Sequence, residues 1–405
     1  MQPREVEAVL KERVLEKIDL SREVSDDEIR MIINAELLDL TKDCHILLKE
    51  RMSLAERVFN SLRKLDVLED LLSDDSVTEI MINGFDNIFV ERNGGLEKAG
   101  VCFSSKERLD DIIQNIVSAN NRIVNASSPI VDARLEDGSR VNIVLEPASV
   151  EGSIVSIRRF PKEPMTMERL KNFGALDDEI IDFLRTLVRA KYNIFISGGT
   201  GSGKTSFLNA CGQFIPSDER IITIEDSAEL QLTQSNLVRL EARNANIEGN
   251  NSISIRDLLK TSLRMRPDRL VVGECRGAEA LETLQAVNTG HDGSFSTLHA
   301  NSCKDALSRL EVMAMMAGEE LPLSAIRAQI ASGVDIIVQL SRIRDRSRKV
   351  VEICEVDKVE NGEITLNTLY TFVETGEENG KVVGKWQKNG SLKHVQKLAL
   401  AGLSL

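Results

Sequence analysis

Apolar residues recur every three to four positions through the first 70 residues: Val6, Leu10, Val14 and Ile18; Ile29, Ile32, Ile33, Leu37 and Leu40; Leu54, Val58, Leu62 and Leu65. That period marks one face of a helix and predicts three amphipathic helices, the second opened by a capping box of Ser25 with Glu28. The stripes are expected to pack on one another, making residues 1–70 a helical bundle. From Val77 the period drops to two. VTEIMIN (77–83) and NIFVE (87–91) read as strands, the second closed by Asn93-Gly94-Gly95, a turn signal leading to another short strand. Leu109, Ile112, Ile113 and Ile116 predict a helix over Lys106 to Ala119. IVDARLEDGSRVNIVL supplies a hairpin turning at Asp137-Gly138, and SIVSIRRF (153–160) one more strand, so residues 71–160 read as an α+β domain.

Pro161, Pro164 and the polar residues around them predict a linker over 161–171, left through a short helix at Met167 to Asn172. Over 172–405 helix and strand patterns alternate, beginning with a helix from Asp177 to Ala190. Alternation of this kind predicts a mostly parallel sheet covered by helices, an α/β fold.

Composition narrows the function. At 405 residues with no run near the ~18 apolar residues needed to span a bilayer, and no signal-peptide core, a multidomain cytoplasmic protein is expected. The net charge of −13 argues against gripping a nucleic-acid backbone, and one Trp, two Tyr and twelve Phe make no visible base-stacking platform. Cysteines 44, 102, 211, 275, 303 and 354 are scattered with no CxxC pair, which suggests neither a zinc site nor a disulfide framework.

Chemistry enters at GGTGSGKT, Gly198 to Thr205. The run NIFIS is of strand length just before it, and KTSFLNACGQF continues without a breaker until Gly212, giving strand, glycine loop and helix start in the order of a phosphate-binding loop. Gly199, Thr200, Gly201, Ser202, Gly203, Lys204, Thr205 and Ser206 are the expected nucleotide-binding residues. Their backbone N–H groups and the helix start would face phosphate oxygens, Lys204 would reach the β- and γ-phosphates of ATP, and the Thr205 hydroxyl would be a ligand to Mg2+. Three later stretches end strands with matching chemistry. RIITIEDSAEL (220–230) offers Glu225, Asp226 and Glu229 to hold a magnesium-bound water or orient the attacking one. In RPDRLVVGECRG (266–277), Glu274 leaves a buried strand and is the leading candidate to polarise the attacking water, with Glu229 and Glu225 as alternatives. NTGHDGSFSTLHANS (288–302) carries His291 and His299 on either side of a hydroxyl-rich strand, where a neutral imidazole could sense the γ-phosphate.

GGTGSGKT, IEDSAEL, GECRG and TGHDGSFSTLHA stand in the order and kind of the Walker A, Asp box, Walker B and His box of the type II/IV secretion ATPase superfamily, which this sequence resembles. That superfamily includes motors of secretion systems and type IV pili. Within it the chain is most similar to the CpaF/TadA-type ATPases of tight-adherence (Tad/Flp) pili, through LLSDDSVTEIMINGFDNIFVERNG, ARLEDGSRVN, RMRPDRLVVGECRGAEAL, VNTGHDGSFSTLHANSCKDALSRLE and IRAQIASGVDIIVQL. The likeness spans residues 65–357. It implies a ring-forming, hexameric cytoplasmic ATPase with an N-terminal α+β domain and a RecA-like P-loop C-terminal domain, using ATP and Mg2+. By family position Arg140 of DGSRVN and Arg158 of SIRRF would complete an ATP site where the domains face each other, with Arg159 as an alternative. The implied partners are a homohexamer and polytopic inner-membrane platform proteins, through which the motor drives pilus assembly, retraction or secretion while peripherally held at that membrane, with no direct nucleic-acid contact. The runner-up is a conjugation-type secretion ATPase. Further readings are a nucleic-acid translocase, for which DNA-stimulated hydrolysis would be the sign, and a structural ring ordered by ATP. The four-cysteine zinc motifs of some type II secretion relatives are absent.

Overall fold

The structure, a computed structural model, describes residues 3–19, 22, 24–42, 47–92, 94–160, 163–243, 252–318 and 320–405. Cys44, Asn93 of the expected turn and Pro161 at the head of the expected linker lie outside them. The chain divides into two compact units, residues 1–161 and 162–405.

In the first unit the three apolar stripes form helices α1 (Pro3–Lys17), α2 (Asp26–Leu40) and α3 (Leu48–Arg63). Val6, Leu10 and Val14 meet Ile29, Ile33 and Leu37 and then Leu54, Val58 and Phe59 in one buried cluster. Ser25 caps α2, its hydroxyl accepting the Glu28 N–H at 3.3 Å. There follow α4 (Leu68–Ser73), β1 (Val77–Asn83), β2 (Ile88–Arg92), β3 (Gly95–Lys98), α5 (Lys106–Ala119), β4 (Ile130–Arg134), β5 (Arg140–Val144) and β6 (Ile154–Arg158). The six strands make an antiparallel sheet in the order β3-β2-β1-β6-β5-β4. Strict alternation gives it one apolar face, where Ile80, Ile82, Val141, Ile143, Val155 and Ile157 receive Leu109, Ile112, Ile113 and Ile116 of α5. Arg108 of α5 fastens the sheet layer to the end of the bundle: it lies 2.6 Å from Asp66 and also donates to the Ser61 carbonyl.

The second unit comprises α6 (Met167–Asn172), α7 (Asp178–Arg189), β7 (Ile194–Gly198), α8 (Lys204–Gly212), β8 (Ile221–Glu225), β9 (Leu237–Glu241), α9 (Ile255–Ser262), β10 (Arg269–Cys275), α10 (Glu279–Asn288), β11 (Phe295–Leu298), α11 (Cys303–Met315), α12 (Leu323–Gly333), β12 (Ile336–Arg342), β13 (Arg348–Glu360), β14 (Glu363–Glu378), β15 (Lys381–Lys388) and α13 (Gln396–Ala401). Its nine-stranded sheet runs β15-β14-β13-β12-β7-β11-β10-β8-β9. The six strands from β12 to β9 are parallel, and successive residues feed opposite helical layers. Ile194, Ile196 and Val338 join Ile180, Leu184 and Phe207 on one side; Phe195, Ile337 and Leu298 join Leu281, Leu307 and Ile330 on the other. Each such side chain contributes roughly 1.5–3 kcal/mol by burial, which fixes β7 from both faces.

The last part of this sheet departs from helix–strand alternation. Beyond β12 the strands are antiparallel, a meander whose two turns fall at Asn361-Gly362 and Asn379-Gly380, all four residues at positive φ. Asn-Gly at such turns is the signature of a two-residue hairpin, a signal present in the sequence that the alternation reading passed over. Among the described residues no helix is long and apolar enough to cross a membrane.

Candidate functional site

The site is assembled at the carboxyl ends of the parallel strands, where β7 runs into the glycine loop and α8. Gly198 leaves β7 where a Cβ would stand 2.5 Å from Ser202 Oγ and 2.6 Å from the Leu340 carbonyl, so only glycine fits. Gly203, at φ +93°, is the N-cap of α8 and offers no side-chain acceptor, leaving the first N–H groups of the helix to an external anion. Lys204 is nearly buried, and its ammonium donates to the carbonyls of Gly198 (3.0 Å) and Gly199 (3.1 Å). Ser202 donates to the Gly199 carbonyl at 2.8 Å, while Thr205 and Ser206 occupy the first turn of α8.

β10 and β11 bring two more motifs to the loop. His299, just past β11, has its Nδ1 3.3 Å from Lys204 Nζ and its Nε2 2.8 Å from Glu274 Oε1. Nε2 also lies 3.5 Å from Lys204 Nζ, so the ring stands between the lysine ammonium and the Glu274 carboxylate, with which it makes a close approach rather than an aligned hydrogen bond. Burial, then the Lys204 ammonium, hold the imidazole below its ordinary range despite Glu274. Glu274 Oε2 in turn lies 2.7 Å from Arg276, which lies 3.6 Å from Asp226 after β8. A row of alternating charge and dipole thus runs from the loop lysine through His299, Glu274 and Arg276 to Asp226.

The three acidic candidates of the 220–230 stretch separate. Asp226 faces outward toward Arg276, and Glu229 lies in the loop beyond β8. Glu225 points inward: its Oε1 accepts the N–H groups of Glu229 (2.8 Å) and Leu230 (2.9 Å), and Oε2 is buried without a partner among the described residues. Burial pushes its carboxyl up to about 7, against those two hydrogen bonds. Gly273 makes room for it, since a Cβ there would stand 2.9 Å from Glu225 Cγ. This corrects the expectation of a water-orienting Glu225. Walled in by the β10 backbone, it braces the 229–230 loop.

The two histidines separate as well. β11 runs parallel to β7, so His291, ahead of β11, stands at the amino end of the sheet while the loop stands at the carboxyl end. Its Nδ1 lies 3.2 Å from the Ala286 carbonyl at the end of α10. The expectation that His291 binds nucleotide is therefore corrected for the loop of its own chain. Arg140 and Arg158 belong to the first unit, directly opposite each other on β5 and β6. Arg134 on β4 and Glu79 on β1 extend the same cross-strand row. Arg159 turns the other way and donates to the carbonyls of Asp74 and Val77, the latter at 2.8 Å, so it is spent on the turn into β1.

Two residues escaped the sequence reading. Arg276 was visible inside GECRG but carried no signal of its own. Arg348 donates through Nε to the Gly201 carbonyl at 2.8 Å, and only the hairpin from β12 to β13 brings it to a loop so distant in sequence. Lys204, Arg276 and Arg348 set three cations around the loop against Glu274 and Asp226. Those cations and the α8 N-terminus fit a triphosphate, and the Thr205 hydroxyl on the first turn of α8 fits its accompanying magnesium ion.

The family model for type II/IV secretion system proteins matches residues 61–390. A Mycobacterium tuberculosis protein named for conjugal transfer is 34% identical over 300 residues, 73% of this chain and 85% of that one. The type IV secretion system protein VirB11 of Bartonella quintana is 31% identical over 334 residues, 74% and 93% of the two chains. Among solved structures, the Legionella pneumophila ATPase DotB superposes with a TM-score of 0.51 at 22% identity, over 72% of this chain and 80% of that chain, a likeness of fold.

Proposed function

The chain belongs to the type II/IV secretion system protein family, and from that premise we propose that it is an ATPase whose hydrolysis drives a secretion or pilus machine. The observation that carries the proposal is the linked row Lys204, His299, Glu274 and Arg276 at the mouth of the phosphate loop. In hydrolysis a water oxygen bonds to the γ-phosphorus while the bond to the β-phosphate bridging oxygen breaks, giving ADP and phosphate. Glu274 orients that water and takes its proton, and Glu229 is the alternative carboxylate. Lys204 exchanges its two loop carbonyls for phosphate oxygens, which frees His299 to report whether the γ-phosphate is present. Bound Mg2+ would neutralise phosphate charge, held through Thr205. Arg140 and Arg158 are the candidates for cancelling charge that develops on the γ-phosphate.

The likeness to CpaF/TadA-type sequences supports a homohexameric motor of a tight-adherence pilus, with residues 1–70 as bundle, 71–160 as α+β domain, 161–171 as linker and 172–405 as motor domain. It would work in the cytoplasm against inner-membrane platform proteins. A second reading, a conjugation-type secretion ATPase, is favoured by the names of the relatives. Loss of pili, as against loss of DNA transfer, in a strain lacking the gene separates the two. Glu274→Gln tests the chemistry: it keeps the shape of the site, so ATP should remain bound while kcat falls by about 10²- to 10⁴-fold. Near-normal turnover in a single-turnover assay would move the role to Glu229.

A further inference from the structure

Behind the nucleotide site, on the face of the sheet covered by α9 to α12, Cys303, Glu352 and Cys354 converge, with one sulfur or carboxylate oxygen from each lying within 4.8 Å of the others. Both cysteines are free thiols and essentially inaccessible. Cys303 is the first residue of α11, whereas Glu352 and Cys354 are two apart on β13 and so share a face of the sheet. The cluster exists only in the folded chain, which is why the absence of a CxxC pair hid it.

We propose that Cys303, Cys354 and Glu352 are the protein ligands of a site for a borderline-soft divalent cation, zinc(II) by preference. Two sulfurs with one carboxylate oxygen are a donor set that selects against magnesium and calcium, which take oxygen ligands. In a tetrahedral zinc site with bonds of about 2.3 Å, sulfurs stand about 3.8 Å apart, so the three donors need to close by no more than about 1 Å.

A second observation points to a ligand at the same place. Gln339 of β12 is directly opposite Glu352 and only 2% exposed. Its amide nitrogen donates to the Ala300 carbonyl at 3.2 Å, and its amide oxygen is buried with no hydrogen-bond partner among the described residues. An orphaned buried acceptor in the row of Glu352 is an unmet hydrogen-bonding need that a bound ion or its water would answer. It is the candidate to complete the coordination, directly or by orienting a water. Glu352 itself makes no ion pair with lysine or arginine among the described residues, so a cation answers an uncompensated charge.

Binding is not a redox step: two S–H bonds break, two metal–sulfur bonds form, and two protons leave to solvent, giving a site of net charge −1 with the carboxylate. Because the thiols ligate only as thiolates, uptake should strengthen with pH. A filled site would tie the start of α11, four residues past His299, to the β12–β13 ladder.

The test is titration of the reduced, nucleotide-free, full-length protein with cobalt(II), followed by zinc(II) competition. One equivalent of cobalt should develop thiolate-to-metal charge-transfer absorption with tetrahedral d–d bands, and zinc should displace it. Cys303→Ser and Cys354→Ser should abolish the charge-transfer band. Glu352→Gln, which keeps both thiols and the packing, should weaken binding by at least about tenfold. It decides the matter if the serine variants do not fold. No charge-transfer band, a band that survives in the serine variants, unchanged affinity in Glu352→Gln, or a Cys303–Cys354 disulfide whose reduced form takes up no metal would each overturn the proposal.

Discussion

Replacing Glu225 with glutamine separates a carboxylate that braces backbone from one that does chemistry. Glu225 is 3% exposed, and its carboxyl is displaced from an ordinary 4.5 to about 7. Below both values it is neutral in the folded and unfolded chains alike and has no effect on stability. As pH rises through 4.5 the unfolded chain gains by ionising while the folded one stays protonated, so stability falls until pH passes about 7 and then levels off. At about 1.4 kcal/mol per tenfold change in proton affinity, the loss is at most about 3.5 kcal/mol. Glutamine keeps an oxygen for the Glu229 and Leu230 N–H groups but cannot ionise. The variant should therefore match the natural protein near pH 4.5 and exceed it by up to about 3.5 kcal/mol at pH 8. Trp386, the only tryptophan, reports the right unit, since it lies on β15 with its indole N–H donating to the Val350 carbonyl at 2.7 Å. Urea unfolding followed by its fluorescence from pH 4.5 to 8 gives the difference directly. Parallel pH slopes for the two proteins would refute the buried, protonated carboxyl. A fall in kcat beyond about threefold at pH 8 would restore Glu225 to the chemistry.

Two further outcomes bear on the nucleotide site. Lys204→Ala should abolish hydrolysis and weaken ATP binding, because it removes the mobile positive charge offered to the β- and γ-phosphates; wild-type turnover would sink the assignment of the loop. Arg140→Ala and Arg158→Ala should each lower kcat by at least about 10²-fold with assembly intact, since arginines that cancel transition-state charge contribute roughly 10³- to 10⁵-fold. Rates within about threefold of wild type in both would leave them as solvated members of a cross-strand row.

Where neighbours in sequence are neighbours in space, the chain was legible. Gly198 to Thr205 declares its strand, turn and helix in one stretch, and Asp177 and Ala190 cap the helix that their pattern bounds. What stayed hidden depends on strand order. That His299 and not His291 meets the glycine loop follows from β11 running parallel to β7, which no local pattern states. Glu225 and Asp226 are adjacent acids, yet the pleat sends one inward and the other toward Arg276. Arg348 reaches Gly201, and Cys303 reaches Cys354, only after a hairpin and a helix have closed around them.

The place of β7 in the sheet also governs how the protein is made. Its two partners, β11 and β12, both lie more than ninety residues downstream, so β7 cannot be paired on either edge until they have been synthesised. At about 5–20 residues per second, translation from Gly198 to Arg342 takes roughly 7 to 30 seconds. Until Leu298 is made the nascent chain carries Ile194, Phe195 and Ile196 on a strand with both edges bare, and until Arg342 with one edge bare, a natural client for a holding chaperone. A truncated product ending before β12 would hold an intact GGTGSGKT yet lack the carbonyl of Leu340 beside Gly198, so the sequence motif alone does not make the folded loop.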